Sequence, residues 1–206
     1  GSLTPAIGTS TIYQARLTGQ SQINASASGF SDATGVLTIT PGAIQNIRVR
    51  DAPNNGGNFF AGQTVTADYS VNLYAAAYDA NWNYVSDVAG TWSVSGGIGA
   101  VSPTVGTLTN FSANKIGTGA IGLIYNGISI STGNLTVTPG ALASIIIRDG
   151  ANNSGSEVGA LALTTDDSRT FYSATYDSDG NYIADQQANW SKTSAIGSFA
   201  NITSTG

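Results

Sequence analysis

Three groups of side chains have types and spacing suited to chemistry. Asp177, Asp179 and Asn181 alternate along Asp177-Ser178-Asp179-Gly180-Asn181, and Asp185 follows four residues later. Hard cations such as Ca²⁺ require carboxylate and amide oxygens of this kind, so this is the candidate metal set and Ca²⁺ the one cofactor considered. The same residues equally describe a hairpin turn in which Asx side chains accept hydrogen bonds from nearby amides. A related stretch, Asp79-Ala80-Asn81-Trp82-Asn83, lacks the middle carboxylate and the glycine, which favours the turn. Arg50-Asp51 and Arg148-Asp149 stand before Asn-rich segments. They either pair with an adjacent domain or form ordinary surface pairs contributing under about 1 kcal/mol each. Trp82 at a turn tip and Phe59-Phe60 after Gly56-Gly57 are the candidate ligand or interface aromatics. Loop aromatics of this kind stack on carbohydrate, dock a neighbouring subunit, or pack against the adjoining domain.

What is absent narrows the function further. The 206 residues contain no His, Cys or Met. Nucleophilic triads, thiolate metal sites and ordinary zinc centres all need residues this chain lacks. Carboxylate-only catalysis needs two positioned acids in a cleft. The sole Glu, Glu157, lies in a Gly/Ser-rich segment and the Asp residues fall mostly at turns, so the expectation is that the protein is not an enzyme. Seven scattered Lys and Arg against 12 Asp and Glu give a net charge of −5, which disfavours nucleic acid and anionic membrane as partners. No run approaches the roughly 20 apolar residues of a membrane span. A Ser/Thr/Asn/Gly-rich chain with only 9% charged residues fits an extracellular, cell-surface protein.

The elements that must position these groups emerge from an internal repeat. Shifted by 98 positions, the chain aligns with itself without a gap, and segments 31–99 and 129–197 share 29 of 69 residues. Thr38-Ile39-Thr40-Pro41-Gly42-Ala43 falls on Thr136-Val137-Thr138-Pro139-Gly140-Ala141, and Trp92-Ser93 falls on Trp190-Ser191. Val/Ile/Tyr/Thr-rich runs between turn signals predict an all-β fold, with strands near 43–50, 63–67, 69–78, 89–95, 107–113, 118–125 and 128–138. Asn126-Gly127, flanked by alternating apolar residues, predicts a type I′ hairpin. Seven short strands per unit describe tandem immunoglobulin-like β-sandwiches, with Trp92 and Trp190 as core residues. Tyr74, Ala76 and Tyr78 share one face of their strand and Val71, Leu73, Ala75 and Ala77 the other; which face turns inward stays open.

Taken together, Thr-Pro-Gly-Ala, then Tyr-Asp-x-x-x-Asn-Tyr, then Trp-Ser, then Gly-Thr-x-Thr resemble the bacterial immunoglobulin-like (Big, invasin/intimin-type) repeats of surface adhesins. The resemblance covers the chain twice and implies an extracellular role as stalk or spacer. The family turn usually reads Asp-x-x-Gly-Asn; Gly180 keeps it, whereas Trp82 takes the glycine position in the other copy. If that position requires positive φ, Trp82 carries a steric cost that Gly180 does not.

By the family's boundaries a repeat begins at Thr-Pro-Gly. Residues 41–138 are then one complete domain. Residues 1–40 match 99–138 and correspond to the C-terminal strands of a repeat, the possible donor. Residues 139–206 match 41–108 and correspond to the N-terminal strands, the possible acceptor. Neither part alone closes a sandwich. Three arrangements remain open: closure of the two parts within one chain, strand complementation between copies in a head-to-tail fibre, or excision from a longer array or a repeat boundary that lies elsewhere than the family suggests. The expected partners are other copies of the chain or neighbouring immunoglobulin-like repeats. The expected function is a non-catalytic filament subunit or adhesin stalk, with a carbohydrate-binding module using loop aromatics as the alternative.

Overall fold

The computed structural model describes residues 1–194 and 197, and every regular element among them is a β-strand. The chain divides into two compact units, 1–138 and 139–206. No helix among the described residues is long and apolar enough to cross a membrane.

The first 40 residues form six short strands, β1 (Ser2–Thr4), β2 (Ile12–Gln14), β3 (Gly19–Ser21), β4 (Asn24–Ala27), β5 (Phe30–Ala33) and β6 (Leu37–Ile39). They pair only among themselves, β1 with β2, β3 with β6 and β4 with β5.

Residues 41–138 carry β7 (Asn46–Arg50), β8 (Thr64–Thr66), β9 (Ser70–Tyr78), β10 (Tyr84–Asp87), β11 (Gly90–Val94) and β12 (Gly99–Ser102). They continue with β13 (Val105–Gly106), β14 (Leu108–Ala113), β15 (Gly117–Gly119), β16 (Ile121–Tyr125), β17 (Ile128–Ser131) and β18 (Leu135–Thr138). One sheet runs β10-β9-β14-β12 with β7 also on β9; opposite it lie β13-β11-β16-β17 and β15-β18-β8. Alternate residues from both layers meet in one core that includes Ile47, Val49, Leu73, Trp92, Phe111, Ile121, Leu123 and Leu135. Burying each such side chain contributes about 1.5–3 kcal/mol, which makes this sandwich the stable part of the chain. Leu73, Ala75 and Ala77 face inward, which settles the orientation of β9. Asn126 and Gly127, at φ 45° and 80°, make the expected left-handed turn between β16 and β17.

Among its described residues the second unit carries β19 (Leu142–Arg148), β20 (Tyr172–Asp177) and β21 (Tyr182–Asp185), in the order β19-β20-β21. These are the counterparts of β7, β9 and β10, 98 residues on. The counterparts of β8 and β11, around 162–164 and 188–192, form no strand. The reason is visible in 41–138. There, β7, β9 and β10 pair with one another, whereas β8 pairs only with β18, and β11 only with β13 and β16. The counterparts of β16 and β18, 98 residues on, lie past residue 206, and that of β13 falls outside the described residues, so neither strand has a described partner to pair with. For the same reason Trp190, expected in a core, is 40% exposed, while Trp92 is buried and donates its indole N–H to the Gly106 carbonyl at 3.0 Å.

Candidate functional site

The Tyr-Asp-x-x-x-Asn-Tyr turns come first because both copies build them identically. Asp79 is buried at the end of β9. Its Oδ1 accepts from the amides of Asn81 (2.8 Å) and Asn83 (2.9 Å), and its Oδ2 from the Gly42 amide (3.0 Å) and Asn83 Nδ2 (2.9 Å). These bonds, led by that from Gly42, hold its carboxyl down at about 2. In the second copy, Asp177 accepts from Asp179 (3.1 Å) and Asn181 (2.8 Å) at Oδ1, and from Gly140 (2.8 Å) and Asn181 Nδ2 (2.9 Å) at Oδ2. Burial pushes Asp177 up, and the hydrogen bonds from Gly140 and Asn181 outweigh it, so its carboxyl still lies below the usual range. The Thr-Pro-Gly motif thereby acquires a role: its glycine amide is tied to the turn aspartate across the strand pair.

The turn in the first copy also reaches residues 1–40. Asn83 Nδ2 donates to the Arg16 carbonyl (2.8 Å), and the Thr18 amide donates to Asn83 Oδ1 (3.2 Å). One asparagine side chain therefore pins a segment 65 to 67 residues earlier to the complete sandwich.

The candidate metal set is only partly brought together. Asp177 and Asn181 share the turn, with Asp179 contributing its amide, while the Asp185 carboxylate turns away to the Asn152 amide (2.8 Å) and the Tyr182 hydroxyl (3.0 Å). Among the described residues no group of three or more His, Cys, Asp or Glu could hold a metal ion.

Arg50, Asp51, Arg148 and Asp149 organise their own loops. Arg50 donates to the carbonyls of Gly56 (2.8 Å) and Gly57 (2.7 Å) and to the Tyr78 hydroxyl (3.4 Å). Arg148 does the same with Ser154 (3.2 Å), Gly155 (2.6 Å) and Tyr176 (3.3 Å). Asp51 accepts from the Asn58 amide and Asp149 from the Ser156 amide (2.6 Å). These anchors brace loops in which Asn54, Asn55, Asn152 and Asn153 all sit at positive φ.

The aromatics divide. Phe60 is a core residue, 5% exposed, which corrects its assignment as a ligand residue. Its amide bonds to the Val49 carbonyl (3.0 Å), and Phe59 bridges Arg50, so the extended backbone turns consecutive rings to opposite faces, Phe60 in and Phe59 out. Phe59 and Trp82 are 48% and 49% exposed. They meet over a residue the spacing did not single out: the Arg48 guanidinium lies 4.0 Å from the Trp82 ring centroid, 5.4 Å from Phe59 and 5.9 Å from Tyr78. Trp82 does occupy the glycine position with φ 64°, where Gly180 has φ 80°. The stacking on Arg48, with Tyr78 at 5.8 Å, offsets the steric cost of that backbone. The signal for Arg48 was in the repeat: Arg48, Phe59 and Trp82 change together, to Ile146, Glu157 and Gly180.

No family model and no curated protein matches the chain. Among solved structures it is similar to three of the S-layer protein SbsC. For domains 4–9 the identity is 14% and the TM-score 0.33, over 82% of this chain and 25% of that one. For domains 4 and 5 the values are 12% and 0.32, over 59% and 66%. For rSbsC(31-844) they are 14% and 0.32, over 88% and 24%. The chain thus spans about a quarter of the longer two and just under two thirds of the third.

Proposed function

We propose that this protein is a non-catalytic, extracellular structural subunit, a stalk or filament component at a cell surface, in which an incomplete repeat of one copy is completed by strands of another. The observation that carries this reading is the open apolar face of β19. Ile145 and Ile147 are 56% and 45% exposed, whereas Ile47 and Val49, 98 residues earlier, are 2% and 0% exposed. In the complete repeat the opposite layer, β13-β11-β16-β17 with β15-β18-β8, covers that face. Residues 1–40 carry the same pattern, and their three pairings reproduce β12-β14, β15-β18 and β16-β17 at the same offset. Tyr13, Ile23, Leu37 and Ile39 are nevertheless only half-buried, while their counterparts Phe111, Ile121, Leu135 and Val137 belong to the core. Apolar positions in both parts are thus less covered than in 41–138, and each part matches the half of a repeat that the other does not carry. Such a contact is head-to-tail and does not close on itself, so it builds a filament.

Two features are in keeping with the surface role. Among the described residues, Asp79, Asp177, Arg50 and Arg148 are engaged in holding turns and loops, and the composition suits an extracellular setting. Electron microscopy of the purified chain tests the reading: filaments that disappear when residues 1–38 are deleted support it. A folded monomer that persists at high concentration overturns it.

A further inference from the structure

We infer that Arg48, framed by Trp82, Phe59 and Tyr78, is a binding site for a carboxylate-bearing sugar, a uronic acid unit of an acidic polysaccharide. The guanidinium is fixed by ring faces, at 4.0 Å from Trp82, 5.4 Å from Phe59 and 5.9 Å from Tyr78. Arg50, two residues away on the same outer face, is the contrast: its donors are taken by two carbonyls and a hydroxyl of its own loop. The Arg48 guanidinium makes no hydrogen bond or ion pair with any of the described residues, while its backbone stays in the β7–β9 ladder. A planar fork held in place by stacking, with its N–H groups directed to no internal acceptor, is prepared for bidentate capture of a carboxylate.

The rings specify the rest of the ligand. Trp82 and Phe59 present half-exposed faces beside the cation, and the C–H face of a pyranose stacks on such surfaces while its carboxylate meets the guanidinium. A single arginine suits a singly charged unit. The chain's net charge of −5 disfavours densely charged polyphosphates.

Two observations set this cluster apart from ordinary packing. Trp82 holds a left-handed backbone conformation that glycine adopts freely in the other copy, and strain of this kind concentrates at functional positions. The second copy keeps the turn, the Tyr176 ring and the Arg148 loop, yet replaces Arg48, Phe59 and Trp82 with Ile146, Glu157 and Gly180. The fold therefore does not require the trio.

The test is titration of the full chain with trigalacturonic acid, read by tryptophan fluorescence and calorimetry, alongside galactotriose and sodium acetate at matched ionic strength. Binding of the acidic trisaccharide alone is expected. Arg48→Gln should weaken it by about tenfold or more and Trp82→Ala by about threefold to tenfold, as loss of a charge-assisted bond and of a stacking face requires. Arg16→Gln should leave it unchanged, and circular dichroism should show all variants folded. Equal binding of galactotriose, equal response to acetate, undiminished binding by Arg48→Gln, or no binding at millimolar trisaccharide would each overturn the assignment. Filament formation is measured separately, so failure here leaves the strand-complementation reading standing or falling on its own test.

Discussion

Replacing Ile47 and Ile145 by alanine, one at a time, compares the same repeat position in a closed and an open sandwich. Ile47 is 2% exposed and packs in the central core. Its truncation removes three carbons from a close-packed site and should cost about 2–5 kcal/mol of stability. Ile145 is 56% exposed, so much of its side chain is already in water and its truncation should cost the isolated unit under about 1 kcal/mol. In an assembled chain the balance changes, because complementary strands would cover Ile145 as they cover Ile47. Loss of that burial, about 1–3 kcal/mol per contact, should raise the concentration needed for assembly by about 5-fold to 150-fold. Urea denaturation followed by tryptophan emission reads the first effect, since Trp92 is buried in the same core. Sedimentation velocity across a concentration series reads the second. The reasoning is refuted if Ile145→Ala leaves the association profile of the parent chain intact, or if it destabilises the dilute chain as severely as Ile47→Ala does.

At the Trp82 turn, Trp82→Gly should relieve about 1 kcal/mol of backbone strain while losing about 0.5–1 kcal/mol of stacking on Arg48, leaving the melting temperature nearly unchanged. Trp82→Ala keeps the strain and loses the stacking, so it should melt lower; both are read by circular dichroism. Asp79 titrates at about 2 in the folded protein against an ordinary 3.8. Because its folded pKa is depressed, its contribution is fully present above about pH 4 and is lost as pH falls through about 2. Acid titration of Asp79→Asn should accordingly show a weaker loss of stability between those values than the parent. Millimolar CaCl₂ followed by EDTA should leave the thermal melt unshifted, because the Asp177 carboxylate already accepts four N–H bonds and Asp185 faces Asn152 and Tyr182; a reversible rise would restore the metal reading.

The all-β class, the 98-residue period and the Asn126-Gly127 hairpin were legible because each rests on local pattern: alternation, repetition and turn chemistry. Strands β10, β12 and β13 were not, since Tyr84–Asp87, Gly99–Ser102 and Val105–Gly106 are short and polar or glycine-bearing, and only pairing with β9, β14 and β11 fixes them. Trp190 shows the opposite limit. Its sequence context matches that of Trp92, yet a core position is made by partner strands, and residues 188–192 have none among the described residues. The site residues divide along the same line. Positive φ at Trp82 followed from the glycine in the other copy, whereas Phe60 was misplaced because two adjacent rings look alike until backbone pairing assigns their faces. Arg48 was recoverable only by asking which residues change together between copies. The roles of Asp79 and Asn83 depend on contacts with Gly42, Arg16 and Thr18, far away in sequence, and no spacing encodes those.

Amide hydrogen exchange at residues 188–192, measured in dilute and in concentrated samples of the full chain, tests strand complementation most directly. If another copy supplies the missing half-repeat, these amides should gain protection on concentration and approach that of Gly90–Val94 in β11. Exchange that stays fast at 188–192 at every concentration, while β11 remains protected, would contradict it.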